Sequence, residues 1–428
     1  MGRKWIAIGS GLIAMGVGVS LLPSAPQSKA ADYPASAQTT KHVHERSSAA
    51  LETSMSRQAG RSRNTGGEDK SRVLVTNKRG TVSVVNPVTQ RILYRAREGV
   101  VSPTENRVYG DVGGAVEIVT TRTGHKVGRV HSPAGKALHI VSTSGSQLAF
   151  ARPEEHGASE WLPLGRSRTK ITIAKTTTRR KRTYDLKGNF GMEAFSTNER
   201  ELFLIKYMPA MNPWHYGVRR LDLATGTVHK IARSKQNAPG EMNGTGRLSR
   251  FSPDGTELYT LYTQQGPNYT HVHPEDADKR ETYAFIHQLN LGGARTHCID
   301  LPPPFGTGTA TSHAMAVSDD GTRIYVADPS SGGLVVVDAG RSLVLRSATL
   351  DLRFMRKKAS ATVSPDGTLY LAGRNEIKAF DGETLRHLRT FPAPRRASWI
   401  SASDSELYVG TAKNFLVLDK WTGRRLNG

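Results

Sequence analysis

Ser252-Pro253-Asp254-Gly255-Thr256-Glu257-Leu258-Tyr259 is one of three nearly superimposable stretches. The other two are Ser318-Asp319-Asp320-Gly321-Thr322-Arg323-Ile324-Tyr325 and Ser364-Pro365-Asp366-Gly367-Thr368-Leu369-Tyr370. Each reads as a strand end, a tight turn and a new strand. Asp-Gly makes the turn because glycine tolerates positive φ and the Asp side chain bonds the backbone two residues on. The apolar and aromatic residues that follow suit a pleated, half-buried surface. Degenerate copies extend the series. They are Ser102-Pro103-Thr104 before Val108-Tyr109, Ser142-Thr143-Ser144-Gly145 before Leu148, Ser196-Thr197-Asn198-Glu199 before Leu202-Phe203, and Ser403-Asp404-Ser405 before Leu407-Tyr408. Arg72 to Asn77 opens the body with the strand alone.

After each of these strands comes another that ends near Asp or Asn, then a turn and a further strand. Thr81 to Asn86, Leu334 to Asp338, Ile377 to Asp381 and Phe415 to Asp419 are examples, and Leu221-Asp222-Leu223 belongs with them. The unit therefore has four short strands, an inner A followed by B, C and D. The B strands are expected to begin near residues 73, 107, 148, 202, 258, 324, 369 and 407, at spacings of 34 to 66 residues. Such lengths fit the blades of a propeller. The expected fold is all-β, a single β-propeller of four-stranded blades. Eight B-strand motifs favour eight blades; seven stays open because the first unit shows no A strand.

The stretch from Ser318 to Asp338, with Ile324-Tyr325-Val326-Ala327-Asp328 and Val335-Val336-Val337-Asp338, resembles the YVTN or surface-layer-type family of β-propellers. The resemblance covers roughly residues 72–426. It implies the fold and little about function. Propellers of similar appearance include lactonases, lyases and, more distantly, the heavy chain of amine dehydrogenases, which is a scaffold for a small catalytic subunit. No residue in this chain matches a motif that would carry those roles over. The body has no Gly-x-Ser-x-Gly nucleophile elbow and no phosphate-cradling loop.

Residues 1–30 read as a secretory signal peptide. Arg3 and Lys4 make a charged start, Trp5 to Leu22 an uncharged apolar run, and Ser28-Lys29-Ala30 a cleavage site before Ala31. Residues 31–71 are rich in Ser, Thr, Ala and charge, and read as a disordered linker. The propeller domain is placed at 72–428. Cys298 is the single cysteine, which excludes an internal disulfide framework and a Cys-rich metal site. The chain carries 59 Lys+Arg against 37 Asp+Glu, a net charge of +22. The body alone holds 50 basic and 32 acidic residues, so +18 belongs to the propeller.

Three regions are candidate sites. Three consecutive B–C loops are long, spanning about 153–168, 207–218 and 263–282. They carry His156 and Trp161, then Trp214, His215 and Tyr216, then Tyr269, His271 and His273. Aromatic and His residues on neighbouring loops suit a recognition surface. His271 and His273, with Glu275, Asp276 or Asp278 nearby, offer a chelating pattern, but nothing pins four ligands, so no metal is expected. At the axis, aligning A strands on their Ser places Arg97, Arg247 and His313 at one position and His139, Glu193 and Trp399 at another. On the rim, Arg179, Arg180, Lys181 and Arg182 lead into an outermost strand. Further clusters are Arg353, Arg356, Lys357 and Lys358, and Arg395, Arg396, Arg424 and Arg425.

For an exported basic protein the expected partner is an anionic cell-envelope polymer or an acidic polysaccharide rather than intracellular nucleic acid. The function expected is that of a monomeric, secreted or envelope-associated binding or scaffold protein without a cofactor. It meets a protein partner through the B–C loop face and anionic polymers through the rim. The alternative is an exported propeller enzyme or enzyme subunit.

Overall fold

The computed structural model describes residues 73–426 apart from 77–81, 87, 88, 90, 156–161, 234–240, 243, 265–283, 308–311, 350–358, 374, 395, 396, 398 and 411–414. The signal peptide and linker expected at 1–71 lie outside the described residues. Eight sheets, antiparallel but for one added outer strand, follow one another along the chain, giving an eight-bladed β-propeller.

Blade 1 comprises β1 (Val73–Thr76), β2 (Val82–Val85) and β3 (Ile92–Ala96). Blade 2 comprises β4 (Val100–Val101), β5 (Arg107–Asp111), β6 (Ala115–Thr120) and β7 (Lys126–His131). Blade 3 comprises β8 (Ala137–Val141), β9 (Gln147–Ala151), β10 (Arg168–Lys175) and β11 (Lys181–Lys187). Blade 4 comprises β12 (Asn189–Phe195), β13 (Glu201–Met208), β14 (His215–Asp222) and β15 (Val228–Lys230). In blade 5, β16 (Ala232–Arg233) precedes β17 (Thr245–Phe251), β18 (Glu257–Thr263), β19 (Phe285–Asn290) and β20 (Arg295–Asp300). Blade 6 comprises β21 (Ala314–Val317), β22 (Arg323–Asp328), β23 (Gly333–Asp338) and β24 (Leu343–Thr349). Blade 7 comprises β25 (Ser360–Val363), β26 (Thr368–Ala372), β27 (Glu376–Asp381) and β28 (His387–Pro392). Blade 8 comprises β29 (Trp399–Ala402), β30 (Glu406–Gly410) and β31 (Phe415–Asp419).

The B strands start within one residue of the positions expected from the repeat. β16 pairs in parallel with β20 and gives blade 5 an extra outer strand. The glycine of a C–D turn lies against the outer strand of the preceding blade, Gly226 beside Tyr184 and Gly423 beside Phe391. Gly124 lies beside Leu93 of β3 in the same way, so β3 is an outer strand. Among the described residues, blade 1 thus lacks its A strand. Blade 8 has A, B and C, and its outer strand is only begun by the Leu418–Arg425 bridge. The two ends of the ring meet where β1 lies against β29.

One serine explains the repeat. Ser102, Ser142, Ser196, Ser252, Ser318 and Ser364 are all buried. In five of them the hydroxyl accepts the first N–H of strand B, from Arg107 at 3.0 Å, Gln147 at 3.1 Å, Glu201 at 3.0 Å, Glu257 at 2.9 Å and Arg323 at 2.9 Å. The same hydroxyl donates to the turn's Asp or Asn, as Ser318 does to Asp320 at 2.6 Å and Ser196 to Asn198 at 2.8 Å. The third residue after the serine is left-handed. Gly255, Gly321 and Gly367 fill that place with φ of 69°, 72° and 81°. Glu105 and Glu199 take the same conformation in degenerate copies.

Most apolar layers lie between blades; the cluster of Trp399, Tyr408 and Val417 lies within blade 8. Leu202, Leu204 and Leu221 of blade 4 pack with Ile171, Tyr184 and Leu186 of blade 3. Blades 5 and 6, 6 and 7, and 7 and 8 are joined by similar clusters. Polar clasps supplement them. Tyr184 Oη donates to Leu223 O at 2.6 Å, and buried Lys420 pairs with Asp366 at 3.0 Å.

Replacing Ser252 by Ala leaves a buried N–H unmet, and urea unfolding should show a loss of about 1–3 kcal/mol. Gly410→Ala should be more damaging, because the new methyl group collides with the buried Trp399 ring; the yield of soluble protein and its melting temperature are the measures.

Candidate functional site

The described residues place the three B–C connections at 152–167, 209–214 and 264–284. His156, Trp161, Tyr269, His271 and His273 lie outside the described residues. The second loop is shorter than expected because the β13–β14 ladder runs out to Met208 opposite His215. His215 and Tyr216 are therefore strand residues. Tyr216 is 2% exposed and stands in an aromatic row. Its ring centroid is 6.1 Å from Tyr207 and 5.7 Å from Tyr262, which in turn is 5.4 Å from Phe285. Tyr216 thus holds blades 4 and 5 together instead of facing a partner. His215 is half-buried, its Nε2 3.0 Å from Glu241 and its ring 3.9 Å from that of Trp214.

Trp214 itself is 60% exposed, Met211 65% and Leu164 50%. The described end of the first loop is tied to the second: Arg166 N donates to Ala210 O at 2.9 Å, and Asn189 Nδ2, at the start of β12, donates to Leu164 O at 3.0 Å and to Ala210 O at 3.3 Å. Arg166 Nε donates to Asn189 Oδ1 at 2.9 Å. These tied segments present three large apolar side chains, Leu164, Met211 and Trp214, to solvent.

The axis candidates have separate fates. Arg97 is exposed in the turn ahead of β4. His139 and Glu193 each sit where the register of the A strand shifts, between Leu138 and Ile140 and between Met192 and Ala194. Burial lowers the His139 pKa, against the pull of Glu154. Arg247 lies in β17, and its side chain is outside the described residues. Trp399 is buried against Tyr408 and Val417.

His313 is buried, with Nε2 3.3 Å from Asp328 Oδ2. Asp328 ends β22 and is fully buried. It accepts hydrogen bonds from the hydroxyls of Ser312 at 2.8 Å, Ser330 at 2.6 Å and Ser331 at 2.8 Å. Burial pushes this carboxyl up, but His313 and the three serines outweigh it and hold it below the usual carboxylate range. The arrangement satisfies a buried charge and ties the end of strand B to its own loop. Asp328 was legible only as a strand end in the repeat.

The opposite mouth carries groups that the sequence reading missed. There the A–B turns converge: Thr143 Oγ1 donates to Gly255 O at 3.4 Å, Pro103 and Thr104 also lie beside Gly255, and Pro253 lies beside Gly321. Solvent reaches Glu105, Arg250 and Asp319. Protein nevertheless surrounds them closely enough that burial raises Glu105 and Asp319 and lowers Arg250. Arg250 draws Glu105 back down, and Asp319 pushes it up. This mouth therefore gathers two carboxylates and a guanidinium that interact with one another.

On the rim, Arg179, Arg180, Lys181 and Arg182 are exposed at the C–D turn and start of β11. Arg182 Nη1 donates to Leu223 O at 2.6 Å and Ala224 O at 2.9 Å, and its guanidinium lies 4.9 Å over the Tyr184 ring. It clamps blade 3 to blade 4. The other three have no carboxylate in ion-pair range among the described residues. Residues 137–187 hold ten Lys/Arg against four Asp/Glu. Burial, Lys170 and Arg152 together lower the Lys136 pKa, a sign of crowded positive charge on this blade. Arg424 and Arg425 are exposed. Arg353, Arg356, Lys357, Lys358, Arg395 and Arg396 lie outside the described residues. Among the described residues no three His, Cys, Asp or Glu side chains group as metal ligands, and no helix is long and apolar enough to cross a membrane.

No family model and no curated protein matches the chain. Solved structures do. Hydrazine synthase of Kuenenia stuttgartiensis is 15% identical, with a TM-score of 0.41, over 82% of this chain and 93% of that one. Sqt1 of Saccharomyces cerevisiae is 9% identical, with a TM-score of 0.48, over 76% and 83%. A protein of unknown function from Desulfotomaculum acetoxidans is 9% identical, with a TM-score of 0.39, over 83% and 93%. At such values the likeness carries no argument about function.

The Asp328 cluster sets a pH dependence. A carboxyl whose pKa is lowered by folding contributes stability above its unfolded pKa and loses it as pH falls through the folded value. The melting temperature should therefore fall on acidification below the ordinary carboxylate range. Asp328→Asn should start lower at neutral pH and fall less over that window; an unchanged acid limb would contradict the assignment.

Proposed function

We propose that this chain is an exported propeller of the surface-layer type that binds rather than transforms. It is retained in the cell envelope, or outside the cell, by anionic polymers, and meets a protein partner on the loop face. The observation that carries this reading is the rim of blade 3. Arg179, Arg180 and Lys181 project from an outermost turn without a described acidic partner, while their neighbour Arg182 is spent on the blade seam. Unpaired cations on one edge attract a polyanion through many weak, salt-sensitive contacts. The exposed Leu164, Met211 and Trp214 support the partner contact, since large apolar groups on fixed loops mark interaction surfaces. The enzyme alternative has less support: His313 and Trp399, two of its axis candidates, are both buried and engaged.

Retention on a sulfonate resin tests the reading. The triple variant Arg179→Ala, Arg180→Ala, Lys181→Ala should elute at clearly lower salt than the wild type. Trp214→Ala should elute with the wild type, because it lies on the loop face. Equal elution of the triple variant would overturn the rim assignment.

A further inference from the structure

Leu164, Met211 and Trp214 are each at least half exposed, yet the chain that carries them is held. Gly165 lies so close to the second loop that a methyl group added there would stand 1.8 Å from Met211 O. Leu164 N donates to Glu155 O at 2.7 Å, and Trp214 N donates to Met208 O at 3.0 Å. The fully buried Asn189 bonds the carbonyls of both Leu164 and Ala210. The Trp214 ring rests on His215, whose Nε2 is 3.0 Å from Glu241. Apolar groups on a backbone already ordered in this way bind a partner at low entropic cost.

The charge around them runs against that of the molecule. The three B–C connections, 152–167, 209–214 and 264–284, carry seven Asp/Glu against four Lys/Arg. The body as a whole holds 50 basic and 32 acidic residues. Of the two described Lys/Arg on these loops, Arg166 is spent on Asn189 Oδ1 and Phe190 O, and Arg152 is exposed. Two carboxylates border the apolar group. Glu155 is exposed beside Leu164, and Glu241, 52% exposed, holds the histidine under Trp214.

These charges choose among the occupants that an apolar patch could take. A second copy fits poorly, because three side chains cannot supply the roughly 800 Å² per partner that a stable dimer buries. Two bodies of +18 also repel each other. An anionic bilayer would accept the tryptophan and leucine but repel the carboxylates beside them. A segment that sets Lys or Arg next to apolar side chains satisfies both features.

We infer that the tied loops of blades 3 and 4 dock a short, basic, amphipathic segment of another protein. Its apolar side chains lie on Leu164, Met211 and Trp214, and its Lys or Arg pairs with Glu155 and Glu241. The inference deepens the loop-face contact proposed above and rests on it. Rim and loops then select partners of opposite charge.

Phage display of random twelve-residue peptides on the full chain tests this, with counter-selection on Trp214→Ser to remove peptides that bind elsewhere. The recovered peptides should combine aliphatic or aromatic residues with Lys or Arg. Their synthetic forms should bind Trp214→Ser and Met211→Ser at least tenfold more weakly than the wild type. The double variant Glu155→Gln, Glu241→Gln should bind them several-fold more weakly, a difference that high salt removes. The apolar substitutions lie at exposed positions, so circular dichroism should match the wild type. The rim triple variant should bind the peptides normally. Peptides that need Trp214 but carry acidic or no charge overturn the basic segment and leave the loop-face contact standing. Recovery of no Trp214-dependent peptide overturns both. Binding to phosphatidylglycerol vesicles that Trp214→Ser abolishes assigns the patch to lipid and overturns the inference. A sedimenting dimer that Trp214→Ser dissociates overturns it in favour of a second copy.

Discussion

The hydroxyl of a buried serine, wedged between the end of strand A and the start of strand B, is the contact on which the blades depend. It accepts the first N–H of strand B and donates to the turn's own Asp or Asn, as at Ser252, Ser318 and Ser196. The bond fixes the angle at which the chain leaves the axis. Once that angle is set, strands B and C fall into register and the apolar side chains of one blade meet those of the next. Most of the packing clusters that follow cross blade boundaries, so the blades share their cores with their neighbours. An error in one turn would therefore be felt in two layers.

This dependence explains what could be read in the sequence. A turn that needs Ser, Asp and a left-handed residue at fixed offsets leaves a mark, and the B strands start within one residue of where the marks put them. Features set by cross-strand pairing leave none. Tyr216 looks like a loop aromatic until the ladder is seen to run to Met208 and His215. The basic residues between blades 3 and 4 are spread from Lys187 to Lys230 with no common spacing, and only the packing of one blade on the next brings them to one cleft. Glu105, Arg250 and Asp319 come from three different blades, Arg250 from the end of β17 and the two carboxylates from A–B turns. Asp328 and His313 stand fifteen residues apart in sequence, linked by the turn from strand A into strand B.

The charge also divides in a way that the total conceals. Arg182 and Lys420 carry positive charge yet act as clasps between blades. Arg179, Arg180 and Lys181 face outward. Arg219 is buried at the boundary of blades 3 and 4. A basic propeller is thus three populations of cations with different solvent contact. Salt screens the outward group most strongly and the enclosed group least.

The seam between blades 8 and 1 has a bearing on how the molecule is made. Apart from the β16–β20 pair, every blade ladder joins strands that follow one another in the chain, and such contacts form early and fast. The meeting of β1 with β29 joins the two ends of the body and must wait for the last strands to be synthesised. Until then both flanks of the growing stack are open sheet, with apolar faces uncovered. Synthesis order therefore makes closure the slow, final event, and the interval before it is when the nascent chain most needs protection from pairing with its neighbours.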